Sequence, residues 1–268
     1  HLGPNVQVGN VYPVMYAQAF FDGMKKEGQE NIVNLLRCAW AGSQKYGALV
    51  WSGDIHSTFE SLQNQFAAGL NMGIAGIPWW TTDIGGFFGA NIYDESYHEV
   101  FVRWFEYGAF CPVMRLHGYR MPYQPQFGTT GGAECVSGAP NEIWSYGDRV
   151  YEICKKYISI RETMRPYTRE LMREAHEKGT PVMRPLFYDF PEDTVCWENE
   201  KEYMYGPNIL VAPVMERGEK TKEVYLPAGT RWTNVWTKEA FEGGQTVTVA
   251  TPLDQIPLFT REGYTLEV

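Results

Sequence analysis

Positive charge is scarce in this chain. Its 268 residues hold 23 Lys and Arg against 32 Asp and Glu, for a formal charge of −9. It therefore lacks the cation clusters that nucleic-acid or anionic-membrane binding needs, and a neutral substrate suits it better. Cysteine is also sparse. Cys38, Cys111, Cys135, Cys154 and Cys196 are odd in number, scattered and free of any CxxC pair, which excludes a disulfide framework or zinc finger and points to reduced thiols in the cytoplasm. The histidines are dispersed without ligand spacing, so no metal is expected. The Gly85-Gly86 and Gly131-Gly132 pairs sit outside any strand-to-helix phosphate fingerprint, and no cofactor is expected. There is no membrane-length apolar run and no signal segment. Because His1-Leu-Gly-Pro is not a natural start, the native N-terminus is expected upstream. Aromatics, by contrast, are abundant: 15% of residues, including nine Trp and seventeen Tyr. Most must pack a core, but flat rings beside carboxylates also suit sugar stacking.

The first half alternates between strand and helix patterns. Residues 11–26 carry apolar positions at helical spacing and end near Gly28. Ile32–Trp40 reads as a buried strand and Ala48–Trp51 as a second. Ser57-Thr-Phe-Glu60 is a capping-box pattern opening a helix that presents Phe59, Leu62, Phe66 and Leu70 on one face. Ile74–Trp80 reads as a third strand, in which Trp79 and Trp80 point to opposite sides. Asp94 can cap a helix burying Tyr97, Phe101, Trp104 and Phe105, and Cys111–Leu116 reads as a fourth strand. The Gly/Pro-rich stretch His117–Pro140 is too long for an ordinary connection and suggests a functional loop. A helical segment from about Asp148 to Lys178 is interrupted at Arg165-Pro166 and stopped by Gly179.

After Gly179 the segments are short, β-branched and aromatic, with Gly and Pro between them, as in a small antiparallel β-sandwich. The expected domains are 1–179 and 180–268. Repeated strand-helix units imply a parallel sheet of the α/β class, but about four units cannot close a (β/α)8 barrel, and half a barrel leaves open edges.

Two aspartates stand where strands give way to loops. Asp54 follows Ala48–Trp51, and Asp83 follows Ile74–Trp80. Carboxylates at successive strand ends, beside the flat faces of tryptophans, are what a barrel enzyme acting on sugars needs. Plainer roles exist for each: Asp54 as an N-cap of the following helix, Asp83 as a shaper of the Asp-Ile-Gly-Gly turn. Arg37 emerges from an apolar strand and must be paired; its fork could hold a carboxylate such as Asp83, or form a purely structural ion pair. His117 is either a satisfied core histidine or a ligand-binding group after a strand.

The order RCAWAGSQKYG, WSGD, WWTTDIGGF, RLHGYR, GTPVMRPLFYDFPED and YMYGPNILVAPV resembles the C-terminal part of glycoside hydrolase family 31 over essentially the whole chain. The resemblance implies the second half of a TIM (β/α)8 barrel followed by the proximal C-terminal sandwich. It makes Asp54 the general acid/base at the sixth strand, Arg37 and His117 ligands of sugar hydroxyls, Asp83 a positioning partner, and Trp51 and Phe87 pocket walls. The nucleophilic aspartate of the fourth strand should lie upstream of residue 1, so activity is expected to require the missing N-terminal half of the barrel. An acid working near neutral pH needs a raised pKa, which burial beside Trp51 and the nucleophile's charge would provide. The implied protein is a retaining, exo-acting α-glycosidase on oligosaccharides. WWTTDIGGFFG and RLHGYR lean toward α-xylosidase over α-glucosidase. A rival of another class is a non-catalytic carbohydrate-binding protein, in which Asp54 would have no partner.

Overall fold

The computed structural model describes residues 2–268. A single turn, α1 (Asn5–Val8), leads into α2 (Tyr12–Lys26). Three short strands follow: β1 (Asn34–Leu36), β2 (Ala48–Trp51) and β3 (Trp80–Thr81). They pair in parallel in the order β1-β2-β3. Parallel neighbours need crossovers, and α3 (Phe59–Ile74) supplies the one between β2 and β3. Its buried Leu62 and Phe66 lie four residues apart, on one face.

Four boundaries differ from the sequence expectation. The expected buried strand Ile32–Trp40 is strand only over Asn34–Leu36, the three residues that pair with β2, and Val33, Leu35 and Trp40 are exposed. The N-cap of α3 is Thr58, whose Oγ1 accepts from Ser61 N at 3.1 Å, one residue later than the capping box suggested. The apolar run Ile74–Trp80 is mostly not strand, because α3 continues to Ile74 and β3 begins only at Trp80. Burial in both states looks alike in sequence, so the apolar pattern cannot mark the switch. Cys111–Leu116 is not a regular strand: residues 111–113 bend away from the end of α4, and only Leu116 forms a bridge. Val113 N donates to Trp80 O (3.1 Å) and Leu116 bridges Ile84 in parallel, while Pro112 has no N–H to extend the ladder.

Helix α4 (Glu95–Ala109) is capped by Asp94, whose Oδ1 accepts from Ser96 N at 2.9 Å, and it is buried along most of its length. Stretch 117–140 is ordered around β5 (Arg120–Gln124), which pairs in parallel with β4 (Ala90–Asn91) and antiparallel to β6 (Ser137–Ala139). Helices α5 (Asp148–Thr163) and α6 (Arg165–Lys178) meet at Met164, with Pro166 in the first turn of α6 and Gly179 at φ +72° as its C-cap.

Beyond Gly179 the strands are β7 (Met183–Pro185), β8 (Tyr203–Tyr205), β9 (Ile209–Val211), β10 (Thr221–Leu226), β11 (Arg231–Asn234), β12 (Ala240–Glu242), β13 (Gln245–Ala250) and β14 (Leu258–Arg261). Two single-turn helices, α7 (Leu186–Asp189) and α8 (Val195–Glu198), separate β7 from β8. A six-stranded sheet of order β12-β11-β14-β9-β8-β7 faces the hairpin-like β10-β13 pair, every pairing being antiparallel. Leu210, Val224, Leu226, Trp232 and Phe259 pack between them.

The two parts are clasped together. Buried Arg103 of α4 donates to the main-chain carbonyls of Thr251 (2.6 Å) and Pro252 (3.1 Å) and pairs with Glu106 at 3.0 Å. Tyr157 of α5 accepts from Ile256 N, and Lys156 holds Asp254 at 3.1 Å. Arg161 donates to the terminal carbonyls of Ala109 and Cys111, the end of α4 where a cation is favoured. No helix among the described residues is long and apolar enough to cross a membrane.

Candidate active site

In a parallel wall all strand C-termini face one way, so the loops after β1, β2, β3 and the 111–116 segment share one rim. Arg37 directly follows β1, and Asp54 follows β2 after Ser52 and Gly53 (φ +75°). Their side chains meet: Arg37 Nη2 donates to Asp54 Oδ2 at 3.0 Å, and the guanidinium lies 5.1 Å from the Trp51 ring centroid. Three of the sequence-derived residues thus form one group. Both charges remain accessible, at 65% and 41% of their side-chain surface. The expected burial of Asp54 beside Trp51 is not seen among the described residues. Asp54 is also not the cap of α3, a task performed by Thr58.

Asp83 is different. Its side chain is 0% exposed and pairs through Oδ1 with Arg115, not with Arg37 as the sequence suggested. Arg37 is drawn to the carboxylate across the adjacent strand end, whereas Asp83 turns into the wall where Arg115 reaches it. Burial pushes the Asp83 carboxyl above its usual range; the Arg115 guanidinium and the nearby His117 ring oppose this, and Asp54 adds to it. Its other oxygen has no hydrogen-bond partner among the described residues. Asp83 is thus buried and paired, whereas Asp54 is accessible.

The turn after Asp83 is built to close tolerances. Gly86 N donates to Asp83 O at 2.8 Å. Gly86 has φ +79°, and a Cβ there would lie 2.6 Å from Ser57 Cα. Below the turn, buried Arg120 donates to the carbonyls of Gly86 (2.7 Å), Phe87 (3.1 Å) and Ile84 (3.2 Å) and bonds Tyr146 OH at 3.0 Å. Phe87 N in turn donates to Ile55 O at 2.7 Å, and Asp83 N to Ser52 Oγ at 3.2 Å. These bonds fasten the Asp83–Phe87 loop to the Asp54 loop. Phe87 then packs against exposed His117, with ring centroids 5.6 Å apart. All six sequence-derived residues therefore share one rim.

Arg115 and Arg120 were not picked out from sequence. Arg115 had a signal: it lies two residues before His117 on an extended segment, hence on the same side. Arg120 had none, because its partners are main-chain carbonyls more than thirty residues away.

The glycosyl hydrolases family 31 TIM-barrel domain matches residues 3–171, and the glycosyl hydrolase family 31 C-terminal domain matches residues 179–266. The chain belongs to glycoside hydrolase family 31. Its first part is a portion of that family's TIM barrel and its second part the attached β-sandwich domain, as the motif order implied. An α-xylosidase of Saccharolobus solfataricus is 38% identical over 265 residues, covering 99% of this chain and 34% of that protein. Alpha-glucosidase 2 of Bacillus thermoamyloliquefaciens is 34% identical over 260 residues, covering 96% of this chain and 30% of that one. Among solved structures, a family 31 α-xylosidase from a soil metagenome, complexed with xylose, superposes with a TM-score of 0.95 at 55% identity, covering 99% of this chain and 40% of that one. This family 31 chain spans about a third of the length of these curated relatives.

Proposed function

We propose that these residues form the second half of the catalytic barrel of a retaining, exo-acting α-xylosidase, with Gly179 closing the barrel part and the sandwich beginning at residue 180. The observation that carries the proposal is the accessible Arg37–Asp54 pair over Trp51, facing His117 and Phe87 on one rim. Asp54 donates a proton to the leaving glycosidic oxygen and then takes one from the water that releases the sugar. Arg37 and His117 donate to sugar hydroxyls, Trp51 and Phe87 wall the ring, and Asp83 orients the rim through Arg115.

Retention needs a second carboxylate about 5–5.5 Å from the first. Asp83 does not fit that role, being buried and paired, so the nucleophile comes from outside these residues. The strand beside β1 comes from there too. The unpaired edge of β1, with exposed Val33 and Leu35, supports this reading, as does the exposed row Tyr12, Met15, Tyr16 and Phe20 on α2. The substrate is an oligosaccharide with a terminal α-linked xylose. Xylose is supported by the 55% identity, over 99% of this chain, to an α-xylosidase solved with xylose. Five free cysteines suit a cytoplasmic location.

In the full-length protein, Asp54→Asn lowers kcat on substrates with poor leaving groups by roughly 10²–10⁴-fold. Azide, which needs no base, restores turnover of activated aryl α-xylosides with an α-xylosyl azide as product. Undiminished hydrolysis of the natural disaccharide by this variant overturns the assignment. Equal or better kcat/KM on aryl α-glucoside overturns the preference for xylose.

A further inference from the structure

A cavity of about 670 Å³ lies between the outer side of α3 and the sandwich. Helix α3 begins near Asp54 and its 16 residues carry the chain back along the wall by about 24 Å. The cavity borders α3 from Gln63 to Ile74, and none of the six rim residues lines it, so it is separate from the rim that holds Asp54.

Trp197 forms one wall and is 56% exposed. One indole face is stacked on Phe187, with centroids 4.7 Å apart and planes within 9°, and Nε1 donates to Pro191 O at 2.9 Å. The ring is therefore held flat and rigid, with its edge satisfied and its other face open. A fixed aromatic plane loses little freedom on binding. Opposite this apolar plane are polar groups with unmet capacity. Lys222 is only 6% exposed, and its ammonium makes no hydrogen bond to a described residue; its nearest carboxylate, Glu219 Oε1, is 3.8 Å away. Glu219 Oε2 is buried without a partner. Asn71, whose Nδ2 already donates to Ala67 O at 2.9 Å, and Glu200 also line the cavity. A buried acceptor left open, as at Glu219 Oε2, is uncommon and calls for a partner.

A ligand meeting these demands has one flat C–H face and a periphery of hydroxyls that both donate and accept. We propose that this cavity is a second, non-catalytic binding site for pyranosides, in which Trp197 stacks on one sugar ring and Lys222, Glu219 and Asn71 bond its hydroxyls. The site keeps an oligosaccharide on the enzyme between cleavage events. It shares with the proposed hydrolysis only the chemistry of the ligand and does not depend on the role of Asp54.

The test uses the full-length protein carrying Asp54→Asn to suppress turnover, titrated calorimetrically with xylosyl-α-1,6-glucose and with maltotriose. Two classes of site are expected. Trp197→Ala weakens one at least about tenfold and leaves the other unchanged; Asn71→Ala weakens the same class less, and Trp197→Phe, which keeps a flat face, retains part of it. With Asp54 intact, Trp197→Ala leaves kcat/KM on aryl α-xyloside within about twofold. A single class of site in the parent, or two classes both unmoved by Trp197→Ala and Asn71→Ala, overturns the proposal. Hydroxyl-radical footprinting that finds Trp197 shielded in the unliganded full-length protein overturns it as well. Failure of the hydrolysis reading looks different: the Trp197-dependent class persists while the other ignores His117→Ala.

Discussion

Arg115 decides what Asp83 can be. With the guanidinium in place, a fully buried carboxylate is paired and the rim above it is held; without it, the same carboxylate is an uncompensated charge. Arg115→Ala should therefore destabilise the protein by roughly 3 kcal/mol in denaturant titration. Adding Asp83→Asn to that variant should recover part of the loss, because a neutral amide is cheaper to bury. If the double variant is no more stable than Arg115→Ala, the pair is not what holds the rim. The six rim residues were legible from their placement at strand ends and in ordered motifs. Their pairings were not, since both Arg37 and Arg115 can satisfy an aspartate and only the register of adjacent strands chooses between them.

Elements were legible in proportion to their length. Helices α2, α4, α5 and α6 have enough turns for a 3.6-residue period to stand out. Strand β3 has two residues, too few for any period, so the apolar run before it was misassigned. Stretch 117–140 read as open loop because β5 and β6 contain Pro122 and Gly138, which weaken a strand pattern. Two outcomes belong to this scale. Gly86→Ala should loosen the Asp83–Phe87 loop, since its Cβ would meet the Ser57 backbone and its φ is unfavourable. A drop in kcat larger than the drop in Tm, together with faster amide exchange at Phe87, is expected. In the sandwich, burial pushes the Glu202 carboxyl up to about 7, only partly offset by the Tyr225 N–H and by Asn199 and Lys222. A carboxyl with a raised folded-state pKa favours folding below its unfolded value of 4.5, and that contribution is lost as pH rises through about 7. Between pH 5 and 8 the wild-type Tm should fall more than that of Glu202→Gln, as read by calorimetry.

At the scale of the molecule, the alternation of strand and helix patterns placed the first part of the chain in the α/β class. Motif order placed it in its family. What no single-chain pattern could express is the clasp between barrel and sandwich, because Arg103 binds main-chain carbonyls, and every residue has one. The open edge of β1 and the exposed aromatic row on α2 carry their own prediction. Expressed alone, these 268 residues should show no α-glycoside hydrolysis and should self-associate on size exclusion. Co-expression with the preceding half of the barrel should restore a defined species and activity. Ordinary turnover by the chain alone would place the nucleophile within it.

The grip of Arg103 has one more consequence. Since it reads main-chain oxygens at Thr251 and Pro252, it imposes almost nothing on the side chains it holds. The fastening can stay constant while the sequence of that strap drifts over generations, and sandwiches from distant relatives should be exchangeable onto this barrel wall wherever an arginine occupies the same helical position.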